Sequence, residues 1–138
     1  MFNEQDYRHG RTTVTALHVH LVFVTKYRRG VFNIEHIEHL ARTFRQVCAD
    51  FDAILVECNG EDDHVHLLIE YPPKVALSTL INSLKGVSSR LLRRDFPDLK
   101  RKVWKGQHLW SPSYFAASCG GAPLSVIKQY VERQRTAG

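Results

Sequence analysis

Asp63-His64-Val65-His66-Leu67-Leu68-Ile69-Glu70-Tyr71 is the stretch of this 138-residue chain from which a fold can be built outward. It is a short apolar run with turn residues before it and Pro72-Pro73 after it, so His64 to Tyr71 reads as a strand. Alternate side chains of a strand share a face, which sends Val65, Leu67 and Ile69 toward a core and makes His64 and His66 project together from the other side. Upstream, Ala53 to Cys58 reads as a partner strand, joined through Asn59-Gly60-Glu61-Asp62-Asp63, a connection made of turn residues.

Farther out the period changes. Ile34 to Phe51 has apolar residues at 34, 37, 40, 41, 44, 47, 48 and 51, a helical stripe that Asn33 is placed to cap. Leu77 to Phe96 repeats the pattern and ends before Pro97. Thr15 to Lys26 alternates as a first strand, with Leu17, Val19, Leu21 and Phe23 on one face and His18 and His20 on the other. Tyr114 to Cys119 reads as a last strand, and Leu124 to Arg135 as a short helix opened by Pro123. The order β-α-β-β-α-β-α predicts an α+β, ferredoxin-like fold: a largely antiparallel sheet, two helices on one face, and a terminal helix left over.

Length and composition bound the remaining possibilities. One domain is expected, and a hydrophobic content of 43% with 24% charged residues excludes both disorder and collagen-like order. No apolar run is long enough to span a bilayer. Met1 to Thr13 is polar and charged, so no secretory signal is expected and the cytoplasm is the expected compartment. Cys48, Cys58 and Cys119 are odd in number and include no CxxC pair, which argues against a disulfide framework or a zinc ribbon.

The formal net charge of +5 is unevenly spread. From Phe32 to Leu84 there are three basic and nine acidic residues, a net of −6; from Lys85 to Lys105 there are eight basic and two acidic, a net of +6. Lys85, Ser89 and Arg93 lie one helical turn apart on an outer ridge, with Arg94 beside them, and Trp104, Trp110, Tyr114 and Phe115 follow. Cations with interleaved aromatics are the ingredients of a nucleic-acid surface, though a solvated helix face beside core aromatics has the same composition.

His64 and His66 form a metal half-site in principle, since two imidazoles on one strand face are adjacent nitrogen donors. The pattern alone is weak: His18-Val19-His20 repeats it. Tyr130 and Gln134, at i and i+4 on the last helix, stack on one face and can address a single point. Glu70, on the face of His66, is a candidate further ligand or base; His20 reads first as a structural residue, with a supporting partner of the site or a DNA contact as the alternatives.

Together, the strand Asp63-His64-Val65-His66, the stretch Lys85-Gly86-Val87-Ser88-Ser89-Arg90, Trp110-Ser111-Pro112-Ser113-Tyr114, the pair Gly120-Gly121 and Tyr130-x-x-x-Gln134 resemble the HUH single-tyrosine transposases of insertion sequences, the TnpA type, over nearly the whole chain. Asp62 stands where that family often has Pro. The resemblance implies that His64, His66 and Gln134 bind one divalent ion, Mg²⁺ or Mn²⁺, and that Tyr130 is the nucleophile. It further implies a metal-dependent tyrosine endonuclease and strand transferase that cuts and rejoins single-stranded DNA at hairpin-marked element ends through a 5′-phosphotyrosine. Lys85, Ser89, Arg93 and Arg94 would contact DNA. Gly120 and Gly121 would hinge a mobile or swapped catalytic helix, 122–135, within a single transposase domain, 1–138, giving a homodimer with composite sites and no membrane partner.

Two other readings share these features. One is a domesticated REP-associated tyrosine transposase; the other is a non-catalytic single-stranded nucleic-acid-binding module, although no run matches the aromatic RNP1 pattern. A histidine-triad nucleotide hydrolase would need a third His where Leu68 stands.

Overall fold

β1 (Leu17–Thr25), α1 (Ile34–Asp50), β2 (Ile54–Gly60), β3 (His64–Tyr71), α2 (Leu77–Asp95) and β4 (Trp110–Ser118) follow one another in a computed structural model that describes residues 16–99 and 108–118. The strands form one sheet in the order β2-β3-β1-β4, and every neighbouring pair is antiparallel. This is the α+β arrangement expected from the sequence. The terminal helix, Gly120, Gly121, Tyr130 and Gln134 lie outside the described residues.

The core follows from the two periodicities. Val19, Leu21 and Phe23 of β1 and Val65, Leu67 and Ile69 of β3 are fully buried, and they pack with Leu40, Phe44, Leu80 and Leu84 from the two helices. Cys48 belongs to this core. Burial pushes the thiols of Cys48 and Cys58 up to about 12, so neither is a reactive thiolate at neutral pH. α1 starts at a capping box in which the Asn33 side chain accepts from the His36 amide and His36 Nδ1 accepts from the Asn33 amide, both at 3.0 Å. An imidazole takes the place that Glu or Gln usually fills. Where α1 meets the end of α2, His39 Nε2 lies 2.7 Å from Asp95 Oδ2.

β4 differs from its expected span. It begins at Trp110, four residues before Tyr114, and runs through Pro112. Proline normally breaks a strand, but β4 is an edge among the described strands, and its register against β1 shifts between the pairs Phe23–Tyr114 and Thr25–Trp110. The extra residues on β4 at that shift include Pro112, whose missing N–H therefore interrupts no regular ladder. Trp110, open to either a packing or a stacking role in the sequence, is 4% exposed and packs on Phe23 and Phe32.

Candidate active site

The sheet face opposite the helices gathers the polar side chains. β3 runs between β1 and β2, and its register sets His18 across from Glu70, His20 from Leu68 and Val22 from His66. Because residues opposite one another share a face, His18, His20, His64, His66 and Glu70 are brought onto one surface.

His64 is oriented by the turn that precedes it. The Asp63 carbonyl accepts from the Thr25 amide at 2.9 Å, and the Asp62 carbonyl from the amides of Val31 and Phe32 at 2.9 and 3.0 Å, so the turn is bonded to the exit of β1. Asp63 Oδ1 lies 2.7 Å from His64 Nδ1, while Asp63 Oδ2 accepts from Arg28 Nε at 3.2 Å. Burial would raise the Asp63 pKa, but the hydrogen bonds from His64 and Arg28 outweigh it and hold the carboxyl below its ordinary value. An ionised carboxylate only accepts, so His64 Nδ1 carries the proton and a neutral ring offers Nε2 as its ligating nitrogen.

Arg28 reaches Asp63 from a strained turn. Tyr27 and Arg28 have φ of +65° and +55°, left-handed backbone that side-chain-bearing residues seldom adopt. Such conformations cost on the order of 1–3 kcal/mol each and persist where neighbours fix them. Here the Lys26 amide donates to the Leu109 carbonyl at 2.8 Å and Thr25 Oγ1 to the Arg29 carbonyl at 2.8 Å.

His66 is nearly fully buried, and its ring centroid lies 4.9 Å from that of His64. Its Nδ1 is 3.4 Å from His20 Nε2, with the two rings almost parallel. Desolvation lowers the His20 pKa to about 4, so His20 is neutral at pH 7. With the shared proton on His66 Nδ1, His66 also presents Nε2. His20 therefore touches the site through His66. Glu70 is instead within 3.5 Å of His18 Nε2.

Two imidazoles with both Nδ1 atoms engaged by the protein are a donor set that fits half the shell of a divalent ion. Among the described residues no group of three His, Cys, Asp or Glu is spaced to hold a metal ion. A complete shell thus requires a donor of another type or from the remaining chain, as Gln134 would be.

The basic residues of α2 divide. Lys85, Ser89 and Arg93 line a groove of about 680 Å³ between α2 and the start of β4, together with Arg90 of the same basic stretch and Lys26, for which no role was expected. Lys85 Nζ also donates to the Ser111 carbonyl at 2.8 Å and sits 5.2 Å from the Tyr114 ring centroid, and burial lowers its pKa. Arg94 is outside the groove lining, its guanidinium bonded to both carboxylate oxygens of Asp95. The contacts of Arg28 and Lys26 depend on the β1–β3 and β1–β4 pairings, which no local period encodes; only the density of cations in Lys26-Tyr27-Arg28-Arg29 hinted at them.

A family model described as IS200-like transposase matches residues 13–134. The chain belongs to the IS200-like transposase family. It is 34% identical over 125 residues to the ISDra2 transposase TnpA of Deinococcus radiodurans, covering 91% of this chain and 89% of the relative. It is 33% identical over 115 residues to the transposase for insertion sequence element IS200 of Salmonella typhimurium, covering 83% and 74%. Among solved structures, a crystallised candidate transposase from Deinococcus radiodurans R1 superposes with a TM-score of 0.72 at 34% identity, covering 91% of this chain and 95% of that one. A REP-associated tyrosine transposase bound to a REP hairpin gives a TM-score of 0.59 at 13% identity, over 88% and 66%, and shares the fold. As in any such IS200-like transposase, the function of this chain is the cleavage and movement of DNA. No helix among its described residues is long and apolar enough to cross a membrane.

Proposed function

We propose that this IS200-like transposase cuts and rejoins single-stranded DNA at hairpin-marked element ends in the cytoplasm, through a tyrosine-linked intermediate and with one divalent ion per site. The observation that carries the reading is the imidazole pair of β3, held with both Nδ1 atoms engaged, in a chain of a transposase family. His64, His66 and Gln134 would hold Mg²⁺ or Mn²⁺; the two imidazoles favour Mn²⁺ over the oxygen-preferring Mg²⁺. When bound, the ion supplies positive charge to the non-bridging oxygens of the scissile phosphate.

Tyr130 is the proposed nucleophile. Its phenolic oxygen loses a proton and attacks phosphorus, the bond from phosphorus to the 3′-oxygen breaks, and that oxygen leaves as a 3′-hydroxyl after taking a proton. The 5′ end stays attached through a phosphotyrosine. A second 3′-hydroxyl then displaces Tyr130 and restores a phosphodiester, so the bond energy is conserved and no ATP is required. Asp63 keeps His64 in the tautomer that this arrangement needs, and His20 lies against Nδ1 of His66, which leaves Nε2 of that ring to face the ion.

Lys85, Ser89, Arg93 and Arg94 are proposed to contact phosphates, which fixes position rather than sequence. The hairpin bound by the REP-associated relative supports a hairpin as the recognised feature here. We further propose a homodimer in which Gly120-Gly121 carries the terminal helix, 122–135, to the other subunit, so that each site combines one chain's His pair with the other's Tyr130 and Gln134.

The test is a denaturing gel of the chain with single-stranded oligonucleotides from the flanks of its own gene, with and without Mn²⁺. A metal-dependent covalent protein–DNA band that disappears in Tyr130→Phe is expected. Cleavage that survives in the variant refutes the nucleophile, and binding without any adduct supports a non-catalytic binding module instead.

A further inference from the structure

Gly86 is in the middle of α2, where the chain has no evident need of it. The residue has no left-handed φ, it is exposed, and apart from its chain neighbours and the adjoining backbone of its own helix no atom of the described residues lies within 4 Å of the place a Cβ would take. A glycine inside a helix costs roughly 0.5–1 kcal/mol relative to alanine. Among the described residues neither a turn nor a close intramolecular approach accounts for that cost.

The surroundings supply a reason. Gly86 lines the groove between α2 and β4, whose described lining includes Lys26, Lys85, Arg90 and Arg93 and no carboxylate. The groove is built from fixed parts: Trp110 donates to Ser88 Oγ at 3.0 Å within the core, and Lys85 is bonded to the Ser111 carbonyl. Lys85, Ser89 and Arg93 advance about 6 Å per step along α2, so positive and polar groups repeat up one wall. Such a cleft selects an extended polyanion.

We propose that Gly86 is the contact point at which a DNA sugar–phosphate backbone rests directly on the helix α2, with the cations of the groove on either side. This deepens the DNA-binding reading above and rests on it. The interior amides of α2 are already bonded within the helix, so the contact at Gly86 is one of shape: the bare backbone lets the strand approach, and the charges hold it there. A methyl group at this position lifts the strand away from all of them at once.

The proposal separates stability from affinity in sign. Gly86→Ala and Gly86→Leu, in the full chain, are expected to keep or raise the thermal midpoint because both residues are better helix formers. Both should weaken binding of an oligonucleotide from the gene's flanks by roughly 5- to 100-fold, as a steric misfit of 1–3 kcal/mol would, with Leu the worse. The slope of affinity against salt should stay at the wild-type value in these variants, whereas Arg90→Ala should reduce it by about 0.7–0.9. Hairpin and unstructured versions of the oligonucleotide show which form rests on the helix. A lowered midpoint, or wild-type affinity in both Gly86 variants while Arg90→Ala loses affinity, overturns the proposal and leaves the DNA-binding reading standing. No binding of either oligonucleotide by the wild-type chain overturns both.

Discussion

Replacing Asp63 by alanine removes one carboxylate and very little else. The backbone of residue 63 is held through its carbonyl, by the Thr25 amide at 2.9 Å and the Thr25 hydroxyl at 3.3 Å, so the turn into β3 survives the substitution. What disappears is the acceptor 2.7 Å from His64 Nδ1, and with it the preference for the tautomer that offers Nε2. Loss of such an outer partner of a ligating histidine weakens metal binding by about 10- to 100-fold, or roughly 1.4–2.7 kcal/mol. Asp63→Asn keeps an oxygen acceptor without the charge; charge-assisted hydrogen bonds are about twice as strong as neutral ones, so its loss should fall near the low end of that range. Arg28→Ala should do less again, because its guanidinium is exposed and leaves the Asp63–His64 bond in place. The assay is calorimetric titration of the full chain with Mn²⁺, paired with circular dichroism and with covalent adduct formation followed against Mn²⁺ concentration. Half-saturation should move upward in the order Arg28→Ala, Asp63→Asn, Asp63→Ala, while the plateau of adduct returns at high Mn²⁺. A folded Asp63→Ala protein with wild-type Mn²⁺ affinity, measured where His64→Ala has lost it, would refute the orienting role.

Ser88→Ala strands the buried indole N–H of Trp110, whose acceptor is a hydroxyl of zero exposure; urea denaturation should report a loss of about 1–3 kcal/mol, and a loss within error of zero would mean that the bond contributes nothing. Asp95 is held well below the usual carboxylate range, first by its hydrogen bond from Arg94 and then by that from His39. A depressed folded pKa gives stability that is present above the unfolded value, near 4, and is lost as pH falls below it, so Asp95→Asn should flatten the acid limb of the stability curve below about pH 4, read by urea denaturation as a function of pH.

The fold was legible because its signals were local. Asn33 capped α1, Pro97 followed the end of α2, and the alternation of β1 and β3 placed the same core residues that the structure buries. The start of β4 was not legible, since Pro112 argues against a strand unless one already knows that the strand is an edge and its register is shifted. The His pair was visible as a pattern, but its meaning was not. That His66 leans on His20, and that Asp63 is shared by His64 and Arg28, are consequences of which strands lie side by side. The place of Arg94 in a basic run was likewise visible, but the bonds of its guanidinium to its neighbour Asp95 were not.

β3 is paired along its length on both sides, to β1 and to β2, and its inward side chains form the centre of the core. Strands of that kind are the last to open when a protein fluctuates, and they exchange their amide protons only through nearly complete unfolding. The two imidazoles are thus attached to the part of the molecule that local breathing reaches least. Heating or mild denaturant will disturb the edges of the sheet long before it disturbs the spacing of His64 and His66, and an enzyme that inactivates below its global melting point will have lost some other part first.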